Sequence, residues 1–481
     1  MPGPVRRLSA RELLALVGDP GPGTRAYRAL ADRIRLLITD GRIPAGTRLP
    51  SERELAAGAG RSRTTVVAAY RALRETGHVV TRHGSGSVAA LPAPGTQQGR
   101  PDRRVDFARA VPPPVEGLEE ILADVSARMV RALEGPGFDL LGNEELRQAI
   151  AERYAERGLT TSADQVLVTM GGQHAISLTA HTFLSRSDLV LVESPSYPHA
   201  YEALRRAGAR LVTTPVTTHG WDVEHLLSSI RQLRPAAAYL IPDFHNPTGA
   251  SMRPQDRARL AEAARAAGTM LIVDETTADL CIDRTWDDGP FARHGRAASP
   301  GSGSGVITVG SLSKSVWGGL RLGWVRADAS AVRRLVQARP AGDLGTPQLE
   351  QLLGERIVRA LPELLPRRQE FLRAHRAAMS AALARHLPRW HVPWPDGGLS
   401  MWVQLDRPGS SALTSICEAR GLSLVAGPRF SVDGTFERFL RLPFTSPVDD
   451  LDAGVRSLAE SWELLASRGP TGHRSRMPEM V

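Results

Sequence analysis

The sequence predicts an α/β multidomain protein. A small basic helical head precedes a larger body, which has a mostly parallel sheet and a small C-terminal α/β subdomain. Three observations carry this prediction. The 481 residues exceed one typical hydrophobic core, and 42% hydrophobic with 23% charged residues is a globular composition. The net charge of +9 is concentrated at one end: residues 1–90 hold 15 arginines against 7 acids, a net of +8, while the remainder holds 45 basic and 44 acidic groups. From Val105 onward, short β-rich apolar runs alternate with Ala/Arg/Glu-rich amphipathic stretches, the pattern of parallel strands covered on both faces.

The head, residues 24–90, reads as helix, helix, short turn, helix and hairpin, a winged helix-turn-helix pattern. Leu30, Ile34 and Leu37 share one face of a first helix that Gly41 closes. Ser51 and Glu54 form a capping box opening a short helix that ends near Gly58–Gly60. Ser62 caps a third helix, where Val66, Tyr70 and Leu73 face inward and Gly77 ends the run. Residues 78–88 then give two short strands around a glycine turn.

Residues 91–104, LPAPGTQQGRPDRR, lack periodicity and read as a flexible linker. The body spans 105–467, with buried strands expected at 166–168, 189–192, 238–241, 270–273 and 306–309. Residues 296–305 read as a surface loop, 350–390 as helical, 400–465 as the smaller α/β segment and 468–481 as a disordered tail. No apolar run matches a membrane span, and MPGPVRRLSA lacks the apolar stretch of an export signal. Cys281 and Cys417 are too few for a disulfide framework, and no metal-ligand spacing stands out, so a reducing, cytoplasmic setting is expected.

The basic head suits an acidic polymer, double-stranded DNA. Arg53 lies early in the second helix, and Arg63, Thr64 and Thr65 open the third, where such a fold meets the major groove. Arginine pairs bidentately with guanine, and threonine hydroxyls suit phosphates. His83 and Gly84 stand at the wing tip, suited to close approach to the minor groove. The runs PSERELA at 50–56 and RSRTTVVAAYRAL at 61–73 resemble the GntR family of bacterial regulators. That resemblance implies operator binding through Arg53, Arg63 and Thr65 by a homodimer.

In the body, a single residue stands out. Of 60 basic residues 59 are arginine, and the one lysine is Lys314, in Gly310-Ser311-Leu312-Ser313-Lys314. A lysine amine can lose its proton and form a Schiff base, which guanidinium cannot. Ser311, Ser313 and Arg321 are placed to bind a phosphate dianion. Asp274 ends a strand where ligands of open α/β sheets gather, and a carboxylate there keeps a pyridine nitrogen protonated. Asn246, in HNPTG, can donate to a phenolic oxygen; Gly172 and Gln173 open a helix after a strand; Tyr197 can stack on a ring.

This constellation resembles the fold-type I aminotransferases, and with the head it is similar to the MocR subfamily of GntR regulators. The resemblance implies pyridoxal 5′-phosphate bound covalently through Lys314. It also implies Asp274 at the pyridine nitrogen, Asn246 at the phenolic oxygen, Gly172, Gln173, Ser311, Ser313 and Arg321 at the phosphate, and Arg441 on an amino acid's carboxylate. One departure stands out: Thr277 occupies the place of a tyrosine that the family often has there. Two functions follow as alternatives: a DNA-binding regulator sensing the cofactor or its adduct with an amino compound, and a working aminotransferase with a DNA-binding appendage.

Overall fold

The computed structural model describes residues 7–17, 26–39, 41–82, 86–90, 105–123, 125, 137–287, 289–295 and 305–467. The expected linker and tail, His83, Gly84 and nearly all of the 296–305 loop lie outside the described residues.

The head contains α1 (Ala10–Val17), α2 (Ala26–Thr39), α3 (Glu52–Ala59), α4 (Arg63–Glu75) and an antiparallel hairpin of β1 (Val79–Arg82) and β2 (Gly86–Ala89). Its capping box is formed: the Ser51 amide donates to Glu54 Oε2 at 2.8 Å, and the Glu54 amide donates to Ser51 Oγ at 3.2 Å. Ser62 Oγ accepts from the Thr65 amide at 3.2 Å and starts α4. Tyr70, fully buried, satisfies its hydroxyl by donating to the Pro50 carbonyl at 2.9 Å. α1 lies ahead of the expected boundary at residue 24 and packs on the head. Leu8, Leu13 and Val17 belong to its core, each burial stabilising by about 1.5–3 kcal/mol. A two-turn helix with only two inward residues is too short for periodicity to reveal.

The body begins with the short β3 (Val105–Asp106) and builds an eight-stranded sheet. Its strands are β4 (Val166–Thr169), β5 (Leu189–Ser194), β6 (Arg210–Thr217), β7 (Gly220–Trp221), β8 (Ala237–Leu240), β9 (Met270–Asp274), β10 (Val306–Ser311) and β11 (Gly323–Arg326). The order is β4-β11-β10-β9-β8-β5-β6-β7. The pairs β10/β9, β9/β8, β8/β5 and β5/β6 are parallel, whereas β11 runs antiparallel to β10 and β4. Residues 312–322, between β10 and β11, contain only a short 3₁₀ turn and no crossover helix, so the chain returns antiparallel.

Helices α5 (Glu144–Glu156), α6 (Gly172–Phe183), α7 (Pro198–Arg206), α8 (Val223–Leu233), α9 (Pro254–Ala267), α10 (Ala329–Ala338) and α11 (Gln348–His386) surround the sheet. Strand alternation explains the two-sided cover. Val190, Val192 and Ile272 pack with α6, α7 and α10, while Leu191, Leu271 and Val273 pack with α8 and α9. The C-terminal subdomain comprises β12 (Ser400–Gln404), β13 (Leu422–Ser423), β14 (Val425–Ala426), β15 (Phe439–Pro443), α12 (Ser410–Ala419) and α13 (Val448–Ser467). Its sheet runs β12-β15-β14, and β13 pairs in parallel with β3. Among the described residues no helix is long and apolar enough to cross a membrane.

Candidate functional site

Because β4, β5, β8, β9 and β10 point the same way, the segments leaving their C-terminal ends converge on one edge of the sheet. There they enclose a cavity of about 400 Å³. Gly172 and Gln173 follow β4, Tyr197 follows β5, Asn246 follows β8, Asp274 ends β9, and Ser311, Ser313 and Lys314 end and follow β10. Arg321 and Arg441 complete the set, so all ten expected body residues line this one cavity.

Lys314 Nζ donates to the Ala110 carbonyl at 2.9 Å. Burial, seconded by the nearby Arg441 charge, pushes its amine down to about 8, so a useful fraction is neutral near physiological pH. Arg441 extends from β15, donates to the Ala108 carbonyl and lies 5.1 Å over the Phe430 ring. Burial lowers its guanidinium to about 10, which leaves it charged at neutral pH. Asp274 is buried with no ion-pair partner among the described residues, and burial raises its carboxyl above the usual range. Two donors oppose that rise: the Thr276 amide, 2.9 Å from Oδ1, and Tyr239 Oη, 2.6 Å from Oδ2. Burial likewise raises the Tyr197 phenol to about 12.

The lining has the marks of a phosphate-bearing pyridine aldehyde site. A buried carboxylate lacking a cation calls for a cationic ring nitrogen. Asn246 Oδ1, Gln173 Oε1 and Ser313 Oγ are buried without a hydrogen-bond partner, facing a site that a polar ligand would satisfy. Gly171, at φ +84°, and Gly172 open α6 with no side chain in the way; a Cβ at Gly171 would lie 2.9 Å from Arg321 Nη2. Helix-opening amides beside a guanidinium suit a dianion. Ser311 is less available than expected, because its hydroxyl donates to the Leu322 carbonyl at 3.0 Å and accepts from the Ser313 amide at 3.1 Å.

Three contributors escape sequence reasoning. Tyr239 lies inside a buried aliphatic strand, and its only sequence signal is a hydroxyl that has to find a partner there. The Ala108 and Ala110 carbonyls carry no side-chain signal at all. Thr277 Oγ1 donates to the Asp243 carbonyl at 2.7 Å, so its proton is already engaged.

On the head, Arg53, Arg63 and Thr64 are exposed and Thr65 is half-buried. Arg63 is the first residue of α4, beside its cap. The Thr64 and Thr65 hydroxyls lie 3.0 and 2.8 Å from Ser62 Oγ, so they stiffen the helix start as well as facing outward.

A head of the winged helix-turn-helix type on an aminotransferase-like body defines a regulator with a cofactor-binding fold. Residues 26–88 match the model for bacterial regulatory proteins of the gntR family, and 136–458 match that for class I and II aminotransferases. The chain is 30% identical over 463 residues to the uncharacterized HTH-type transcriptional regulator YdcR of Escherichia coli, covering 87% of this chain and 94% of YdcR. It is 28% identical over 431 residues to the probable rhizopine catabolism regulatory protein MocR of Rhizobium meliloti, covering 82% and 84%. The body resembles the crystal structure of LysN, the alpha-aminoadipate aminotransferase of Thermus thermophilus, complexed with N-(5′-phosphopyridoxyl)-L-leucine. That match has a TM-score of 0.68 at 30% identity and covers 76% of this chain and 93% of LysN. The chain therefore belongs to the class I and II aminotransferase family and carries a gntR-family head, the MocR-type arrangement of a transcriptional regulator, with pyridoxal phosphate as its cofactor.

Proposed function

We propose that the protein regulates transcription by sensing pyridoxal 5′-phosphate, or the cofactor's adduct with an amino compound, in the cavity around Lys314. The convergence of Lys314, Asp274, Asn246 and Arg441 on that cavity carries the reading. When bound, the cofactor supplies an aldehyde that captures amines and a protonated ring that withdraws electrons. Lys314 presents the primary amine with a lowered proton affinity, and Asp274 the carboxylate that keeps the ring nitrogen protonated. Asn246 faces the phenolic oxygen, Tyr197 packs on the ring, and Gly172, Gln173, Ser311, Ser313 and Arg321 hold the phosphate. Arg441 grips the carboxylate of an amino-acid effector, while Arg53, Arg63, Thr64 and Thr65 meet operator DNA in the cytoplasm.

The body acts as a homodimer whose arrangement shifts when the effector binds its two states with different affinity. We take the body as residues 105–467, with 91–104 joining it to the head. The bond from Thr277 to the Asp243 carbonyl favours sensing over turnover, since no phenol stands there to tune the cofactor. Incubation of the purified protein with amino acids and 2-oxoglutarate decides between the two: sustained keto-acid exchange would establish an enzyme. Borohydride reduction of wild type and Lys314→Ala tests the cofactor site, and an adduct retained in the variant overturns the assignment.

A further inference from the structure

Residues 105–115 cross the cavity as a strap fixed at both ends. At one end Val105 and Asp106 pair with Leu422 and Ser423, and the fully buried Phe107 donates its amide to the Ser423 carbonyl at 2.9 Å. At the other, Arg368 Nη2 donates to the Pro113 carbonyl at 2.7 Å, and the Val115 amide to the Val316 carbonyl at 3.0 Å. Between these anchors Ala108, Arg109, Ala110 and Val111 line the cavity. Two of their carbonyls are taken by two of the cations that the proposed function requires: Ala108 O by Arg441 Nη2, and Ala110 O by Lys314 Nζ. A turn holds the first in place, since the Ala108 amide donates to Asp106 Oδ1 at 2.8 Å.

We infer that this strap is an internal competitor for the effector site, a regulation that rests on the proposed function of the cavity. The Ala108 carbonyl occupies the guanidinium that an effector's carboxylate has to reach. The Ala110 carbonyl stabilises the protonated form of Lys314, which does not attack an aldehyde. A carboxylate accepts from guanidinium more strongly than a neutral carbonyl and in bidentate fashion, so it displaces the strap instead of adding to it. Arg441 Nε is buried with no hydrogen-bond partner, which leaves donor capacity for that second bond.

The test uses the full-length protein with N-(5′-phosphopyridoxyl)-L-leucine, which carries phosphate, pyridine and α-carboxylate and does not need the lysine amine. Asp106→Asn keeps an acceptor for the Ala108 amide but removes the charge; Asp106→Ala removes both. Competition predicts that Asp106→Ala binds the probe about three- to tenfold more tightly than Asp106→Asn, the worth of one turn hydrogen bond. Hydrogen exchange at the amides of 108–111 should rise when the probe binds wild type. Equal affinities of the two variants, or exchange that falls on binding, overturn the strap and leave the cofactor site standing. If pyridoxal 5′-phosphate itself fails to bind, the proposed function and the strap fall together. If it binds and the probe does not, the carboxylate site at Arg441 falls and takes the strap with it.

Discussion

Tyr239 and Asp274 lie on neighbouring parallel strands, and the Tyr239 hydroxyl donates to Asp274 Oδ2 at 2.6 Å with both side chains buried. A carboxylate enclosed by apolar strands tends to take up a proton, and a neutral acid cannot hold a pyridine nitrogen in its cationic form. The phenol counters that tendency with a bond to an ionised group, worth about 1.5–3 kcal/mol. Tyr239→Phe keeps the ring that packs in the core on one face of the sheet and removes only the donor. It should weaken pyridoxal 5′-phosphate binding by about tenfold or more, measured by fluorescence titration, without loss of the folded state. Unchanged affinity would show that the Thr276 amide alone keeps Asp274 ionised.

Lys314 titrates near 8, below the ordinary lysine value of 10.5, chiefly through burial and then through Arg441. The rate of cofactor capture, followed by absorbance after mixing, should therefore rise with pH around a midpoint near 8. Removing the Arg441 charge should move that midpoint upward. The linked effect on stability has a fixed sign. Between pH 8 and 10.5 the unfolded chain binds more protons at this site than the folded one, so this lysine's contribution to stability improves as pH rises through that window. A capture profile with its midpoint near 10.5 would mean that the amine is solvated before the cofactor arrives.

Arg441 and Lys314 were both legible in the sequence, for different reasons. Lys314 stands out because it is one lysine among 59 arginines, and its SLSK run follows a strand whose apolar pattern is plain. Arg441 emerges only through a resemblance, since an arginine on a strand such as FLRLP has no local signal of burial. The head was legible because caps are local: Ser51, Glu54 and Ser62 each act within three residues of themselves. What stayed hidden depends on distance along the chain. Tyr239 meets Asp274 across 35 positions, and the Ala108 carbonyl meets Arg441 across 333. Backbone carbonyls carry no residue identity for a motif to record. The antiparallel β11 was hidden too, because Gly323–Arg326, GWVR, is a short run holding a glycine and an arginine, without the apolar signature of its neighbours although it is fully buried.

Gly171 offers a backbone test of the phosphate cradle. Its φ of +84° disfavours any side chain, and an added Cβ would lie 2.9 Å from Arg321 Nη2. Gly171→Ala should cost about 1 kcal/mol or more in folding stability and displace Arg321. Pyridoxal 5′-phosphate affinity should fall, whereas affinity for phosphate-free pyridoxal should not. An equal loss for both compounds would remove Arg321 and the α6 amides from the phosphate assignment.

Arg441→Gln separates the effector from the cofactor. The variant keeps a donor for the Ala108 carbonyl but loses the cation beneath an α-carboxylate. Cofactor binding should persist, while the spectral response to added amino acids weakens by roughly ten- to a hundredfold in concentration, as expected for a lost charge-assisted bidentate contact. Simple amines without a carboxylate should respond equally in wild type and variant. A parallel loss for amines would show that Arg441 shapes the cofactor itself.

Arg63 decides whether the head reads sequence or only charge. It is exposed at the first position of α4, next to a Ser62 cap that fixes the helix start through the Thr65 amide. Substitution by alanine leaves that cap intact, so the change removes a guanidinium and not the helix. Against duplexes selected by the wild-type protein from a random pool, Arg63→Ala should lose about 1–3 kcal/mol if the guanidinium pairs with a guanine edge. Affinity for unselected DNA should then change little, and the selected consensus should relax at one base pair in each half-site. A phosphate contact predicts the opposite pattern: equal losses on all sequences and a salt slope about one unit shallower for each contact removed. Because residues 1–90 hold 15 arginines, general attraction survives the loss of one. Any discrimination lost with Arg63 is therefore attributable to that side chain, measured as the ratio of selected to unselected affinity at one fixed salt concentration.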